Sequence, residues 1–192
     1  MSEMKKFPLI TGIISLDFIN TEVVRRGQRH NLLSSENDVK DWLHEMKDYN
    51  PTISLLFTDE IEVTNLLLNE LLTFRSLLRE AFEAIADRKG ASSEFLGLLE
   101  KKIEAAPFSF KVSEHQIIPL PVGKIEDSII SLIAYDVIKL VEGKKLNSLK
   151  RCSNPECVLL FIDEGGRRKW CSMKICGNRK KVARYQKKEK GR

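Results

Sequence analysis

Cys152, Cys157, Cys171 and Cys176 are the only cysteines in a chain of 192 residues, and they fall within 25 consecutive positions with the spacing C-x4-C-x13-C-x4-C. Two close pairs separated by a loop can bring four thiolates onto one tetrahedral ion. Zinc accepts this geometry because its filled d shell makes no directional demand. The Asn154–Pro155 step supplies a turn inside the first pair, and Gly165–Gly166 lets the connecting loop double back. Four thiolates close the coordination sphere, leaving no position for water or substrate, so the expected ion is one structural Zn2+. Such an ion contributes on the order of 10 kcal/mol to folding a small module. Disulfides would require an oxidising compartment. The N-terminal run MSEMKKFPLITGIISLDFIN places Lys5 and Lys6 before apolar residues, but Asp17 interrupts it early and no small-x-small cleavage site follows. The expected location is therefore the cytoplasm, where disulfides are rare.

Charge is segregated around these cysteines. Residues 150–192 carry 14 Lys and Arg against 4 Asp and Glu, whereas residues 1–149 carry 18 against 23. A basic tail on an acidic body suits a polyanionic partner for the tail alone. After Cys171 the segment SMKICGNRKKVARYQKKEK reads as a helix capped by Ser172, with Cys176 in its early turns. Arg167, Arg168, Lys169, Arg179, Lys180, Lys181 and Arg184 are the candidate contacts to phosphate or bases, and Trp170 is expected near the metal. Asn178 could meet an adenine edge, but the favoured role is to organise the turn beside the metal. The plainer reading of this tail is a solvated, lysine-rich C-terminus.

The elements that must carry this module are mostly helical. Ser34 and Ser35 are plausible caps for ENDVKDWLHEMKDY, which sets Val39, Trp42, Leu43 and Met46 at helical spacing. Residues 59–88 repeat apolar side chains from Val63 to Ile85 in steps of three or four, predicting the longest helix, ending at Gly90. SSEFLGLLEKKIEAAP predicts a third helix, and residues 107–122 alternate like a hairpin or extended arm. Residues 125–142 are apolar on most sides, as a buried helix requires, and Gly143 closes them. The charged stretch RRGQRHN is expected to be an exposed turn. The fold class is mainly α: a helical domain over residues 1–146 with a small hairpin or arm, then a treble-type or knuckle zinc finger over 147–192 ending in a helix. No run is long enough to cross a bilayer.

The acidic body offers one candidate effector pocket, Asp17, Asn20, Thr21 and Arg25 with Arg26, although the first three are also good cap and turn residues. Catalysis is not expected. His30, His44 and His115 are scattered, no Gly-rich phosphate loop precedes a helix, and no carboxylate pair stands apart from the charged helix faces.

The tail RCSNPECVLLFIDEGGRRKWCSMKICGNRKKVARYQKK resembles the CGNR zinc finger, named for the residues standing here as Cys176, Gly177, Asn178 and Arg179. The resemblance includes the paired cysteines, Phe161-x-Asp163, the run Arg168-x-Trp170-Cys171-Ser172 and the basic continuation. GIISLDFINTEVVRRG followed by SENDVKDWL is similar to the start of the ABATE domain that normally precedes this finger. The resemblance implies a bacterial, stress-responsive transcription regulator whose finger binds DNA. Two departures are visible: Glu164, Gly165 and Gly166 stand where many relatives have an Arg- and Ser-rich loop, and Leu and Ile replace much of the usual alanine in the body. Other readings of the module are an RNA- or ribosome-associated protein and a protein-interaction finger. With only Trp170 and Tyr185 among the basic residues, a single-strand stacking platform is disfavoured. A lone finger reads few base pairs, so sequence-specific control would be easiest for a homodimer.

Overall fold

Ser35 starts the first long helix as the spacing predicts, because its hydroxyl accepts the Asp38 N–H while the Asp38 carboxylate accepts the Ser35 N–H at 2.8 Å. The computed structural model describes residues 6–57, 61–113 and 116–178. About half of the described residues are helical: α1 (Ile14–Ile19), α2 (Glu36–Met46), α3 (Pro51–Leu56), α4 (Asn65–Ala86), α5 (Ser93–Ala105) and α6 (Ile125–Glu142). Three antiparallel two-stranded hairpins interleave with them: β1 (Glu22–Arg25) with β2 (Gln28–Asn31), β3 (Phe108–Ser113) with β4 (Gln116–Pro121), and β5 (Leu149–Arg151) with β6 (Leu160–Ile162). No helix among the described residues is long and apolar enough to cross a membrane.

The predicted helix over 59–88 begins later, at Asn65. Thr64 caps it by accepting the Leu67 N–H, which leaves Val63 buried but outside the helix. Its C-terminus also comes earlier than Gly90, at Ala86. The small helix α3, capped by Asn50 with Pro51 at its first turn, carries too few apolar residues to announce itself by period. RRGQRHN is exposed as expected, but it is part of a hairpin. Arg26 and Gly27 both take positive φ, 52° and 78°, as a two-residue turn joining twisted strands requires.

Helix α6 is buried on most sides against α1, α4 and α5, with Ile129, Ile133, Ala134 and Val137 in the interior. Helix α4 contributes Leu67, Leu71, Phe74, Leu78 and Phe82, and Trp42 of α2 meets Phe18 of α1 at 5.3 Å between ring centroids. Burying each such side chain stabilises the fold by about 1.5–3 kcal/mol. The β3–β4 arm leans on this body through Thr52, whose hydroxyl donates to the Pro119 carbonyl at 2.9 Å. Further out it leaves Phe110, Val112 and Ile117 exposed.

The core does not stop at the predicted boundary of residue 146. Leu149 and Leu160 of the finger join the main core, while Ile10 and Val23 of the body cover the smaller core around the cysteines. Two buried polar side chains fasten the join. Asn20 bonds both backbone groups of Leu160, and Arg79 donates to the Val158 carbonyl at 2.9 Å.

Candidate metal centre and its basic rim

Strands β5 and β6 present the first cysteine pair from their adjoining ends. Cys152 follows β5, Cys157 precedes β6, and the turn between them closes with the Cys157 N–H bonded to the Asn154 carbonyl at 2.9 Å. Of the second pair, Cys176 sits in one wide turn, Met173–Gly177, and Cys171 stands just before Ser172, the residue that caps it. Ser172 caps it as predicted, accepting the Ile175 N–H on its hydroxyl and the Cys176 and Gly177 N–H groups on its carbonyl. Hydrogen bonds that reach back five residues are rare, and concentrate where a side chain must be aimed. Here the side chain aimed is Cys176.

All four sulfurs lie within 4.8 Å of one another. Cys157 and Cys171 approach to 3.8 Å. A tetrahedron with ~2.3 Å zinc–sulfur bonds has an edge of about 3.8 Å, so this pair already stands at the separation the ion requires. Cys152, Cys171 and Cys176 are buried and Cys157 is half-buried. The Cys171 N–H points at the Cys152 sulfur at 3.4 Å, and the Asn154 amide points at the Cys176 sulfur at 3.5 Å. The backbone N–H groups of Asn154 and Leu159 also face Cys152 and Cys157. Donors aimed at sulfur hold thiolates in place and offset part of their charge. Hydrogen bonds from the Cys157 and Cys171 thiols hold Cys152 far below the ordinary thiol range. Beside that thiolate, Cys157 and Cys171 are both pushed well above the ordinary thiol range. Four sulfurs this close cannot all ionise without a cation between them, and a closed set of four thiolates suits zinc. The site could hold one zinc ion.

The rim is basic and ordered. Phe161 is fully buried, and the Arg168 guanidinium lies 4.2 Å from its ring centroid. Asp163 accepts the Arg168 N–H and the Lys150 ammonium, each at 2.8 Å, while Arg168 Nε donates to the Trp170 carbonyl. These bonds fix the loop 163–168, whose reversal uses Gly166 at φ 69°. Arg167 on it and Lys169 just after it stand exposed, with no carboxylate partner among the described residues. Of the sequence-selected cations, then, Arg167 and Lys169 face solvent and Arg168 is half-buried against Phe161. Arg179, Lys180, Lys181 and Arg184, and the predicted helix beyond Asn178, lie outside the described residues. Asn178 is exposed, its backbone N–H bonded to the Met173 carbonyl.

Asn154, read from the sequence only as a turn former, is the amide that faces sulfur; its place between the two cysteines of one pair was the available signal. Lys150 and Arg151, adjoining Cys152 in the same basic tail, were also missed. With Arg88, Arg167, Arg168 and Lys169 they line an open cleft of about 500 Å³ beside the end of α4.

The effector grouping of Asp17, Asn20, Thr21 and Arg25 does not converge on a cavity. Asp17 is enclosed, its carboxylate accepting the backbone N–H groups of Ile10, Thr11 and Gly12 and the Thr11 hydroxyl. Asn20 is engaged with Leu160, and Thr21 accepts from Arg75 at 2.8 Å. Arg25 alone lines a groove, of about 950 Å³, between residues 6–10, the β1–β2 hairpin and the finger.

Two family models match the chain. The ABATE model, described as "Putative stress-induced transcription regulator", matches residues 12–142, and the CGNR zinc finger model matches residues 148–189. No curated protein matches it.

Proposed function

The chain belongs to the ABATE family and ends in a CGNR zinc finger, and from that premise we propose that it is a DNA-binding transcription regulator. The observation that carries this reading is the pair Arg167 and Lys169, exposed and without carboxylate partners among the described residues, on a segment pinned to the metal module by Asp163 and Arg168. Cations on a stiff loop lose little freedom when they meet a phosphate, so they contribute more than cations on a free chain. When bound, zinc would supply the cross-link that holds the two cysteine pairs, and with them this loop, in register. The chain's own residues do the contacting. No catalytic step is assigned to it, and the cytoplasm is the compartment that fits this role.

The test is selection of zinc-loaded, full-length protein against a random duplex DNA pool at physiological salt. We expect an enriched motif, with half-site spacing reporting whether a homodimer reads it. Retention without a motif would leave only a salt-dependent, sequence-independent contact. Preferential capture of structured RNA would overturn the DNA reading, and failure to retain either polyanion would favour an acidic protein partner.

Effector response is supported by the groove between the N-terminal segment, the β1–β2 hairpin and the finger. Phe7, Leu9, Ile10 and Val23 line it, with Arg25 at its edge, and it reaches Cys157 and Cys176. A ligand held there would touch body and finger together. A metabolite screen by thermal shift should find an anionic amphiphile whose stabilisation disappears in Arg25→Ala. A screen in which nothing stabilises the protein would end this reading.

A further inference from the structure

Helix α4 ends against the finger in an unusual way. The Arg88 N–H bonds to the Ile85 carbonyl at 2.9 Å and the Lys89 N–H to the Ala84 carbonyl at 3.0 Å, the closure in which the residue after the cap is left-handed. Glycine is the usual occupant, because a side chain there crowds the backbone. This chain has Arg88 there, at φ 66°, and places its glycine two positions later, Gly90 at φ 77°. A strained arginine where glycine would serve calls for an account of the side chain.

The side chain points to the seam between body and finger. Arg88 Nη1 donates to the Asn147 carbonyl at 3.1 Å, at the turn leading into β5, and Arg88 lines the same open cleft as Lys150, Arg151, Arg167, Arg168 and Lys169. Carboxylates anchor two of these cations: Asp87 and Glu83 bind Arg151 at 2.9 and 3.3 Å, and Asp163 binds Lys150 at 2.8 Å. Arg88, Arg167 and Lys169 have no carboxylate partner among the described residues. Six cations therefore face three carboxylates, and those three are already engaged. The cleft is open rather than enclosed, and its lining is dominated by charged side chains, which suits a backbone running past it better than an apolar small molecule swallowed within it.

We propose that this seam is a phosphate clamp for duplex DNA in which Arg88, from the helical body, contacts the backbone alongside Arg167 and Lys169 of the finger. The inference rests on the DNA-binding reading above and extends it, since the body becomes part of the interface. DNA bound across the seam also requires body and finger to keep their mutual orientation.

The test compares zinc-loaded full-length wild type with Arg88→Gly, Arg88→Lys and Arg167→Ala, using a labelled random duplex across a salt series and thermal melting of each protein. Each phosphate contact contributes about 0.9 to the slope of log affinity against log salt. Arg88→Gly should flatten that slope by about one and weaken binding several-fold at physiological salt, while its melting temperature holds or rises as backbone strain is relieved. Arg88→Lys should retain most of the slope, and Arg88→Gly combined with Arg167→Ala should lose about two. A wild-type slope in Arg88→Gly would overturn the clamp and leave the DNA reading standing. So would weaker binding that merely tracks a lower melting temperature at unchanged slope. Wild type that binds no duplex DNA, or that an RNA duplex of equal length displaces equally well, would overturn both.

Discussion

Asn20 and Leu160 are 140 residues apart in sequence and form a closed pair: Asn20 Nδ2 donates to the Leu160 carbonyl at 2.9 Å, and Asn20 Oδ1 accepts the Leu160 N–H at 3.0 Å. One amide thus satisfies both backbone groups of the first residue of β6, imitating a neighbouring strand where the sheet has none. Asn20→Ala would strand both groups in the interior. The expected loss is about 2–4 kcal/mol, read from urea unfolding. Asn20→Asp should be at least as damaging, because it removes the donor and adds a buried charge.

Arg79 joins the same seam from α4. It is buried, with Nε 2.7 Å from a Glu22 carboxylate oxygen as an ion pair, and it donates to the carbonyls of Ile19 and Val158. Arg79→Met retains most of the apolar stem but leaves two carbonyls without their donor and Glu22 with only the exposed Arg29. A loss of about 3–5 kcal/mol is expected, again by urea unfolding. Glu22→Gln in the Arg79→Met background should recover part of it.

Asn154→Ala should lower zinc affinity by about 10–100-fold, as loss of a donor that steadies a ligating sulfur does at other metal sites. Competition with a chromophoric chelator measures this directly. Asn154→Asp should be worse, since it turns a carboxylate toward the Cys176 thiolate.

Chelating the metal should abolish amide protection over residues 149–177 while leaving most of α2, α4 and α6 protected, as hydrogen exchange would reveal. The reason is the division of apolar packing: the cysteines, Leu159 and Phe161 form their own small core, too small to stand without a cross-link.

Asp17 gives a pH signature. Burial pushes its carboxyl up to about 6, against the pull of the Thr11 hydroxyl and the backbone N–H groups that face it. The folded form therefore holds a proton that the unfolded chain releases near its ordinary value of 3.8. The contribution of this group is fully present below about pH 4 and is lost as pH rises through about 6. Wild type minus Asp17→Asn, compared by urea unfolding from pH 3.5 to 7, should lose on the order of 3 kcal/mol over that interval. A flat difference would show that the four hydrogen bonds offset burial.

The parts of the molecule that could be read from sequence are those whose signals are local. The cysteine spacing located the metal centre, and α6 was readable over its full length because its apolar residues and Gly143 lie next to each other in the chain. Arg75 and Arg79 were not readable, because charges on a helix ordinarily mark its solvent face, whereas these two occupy its buried stripe. Their partners lie in α1, β1, β2 and the finger, contacts that no periodicity encodes. The β1–β2 hairpin was hidden for a different reason: both its strands are short and largely polar, and they pair through backbone bonds with little apolar alternation. Asp17, Asn20 and Thr21 illustrate a third case. Their residue types suited either a ligand pocket or internal hydrogen bonding, and the chain uses them for the second.

The closed Asn20–Leu160 pair also sets an order on synthesis. When the ribosome has finished α6, Asn20 and the guanidinium of Arg79 still lack their finger carbonyls, and Ile10 and Val23 have nothing above them. Those vacancies close only after residues 158–160 emerge, and the sulfur cage closes only with Cys176. A nascent or truncated chain lacking residues 147–176 presents an apolar face with unsatisfied polar groups at its centre, which is a surface for chaperones and proteases. Metal loading thus becomes a checkpoint of biogenesis, and scarcity of the ion would be felt first as a loss of finished protein.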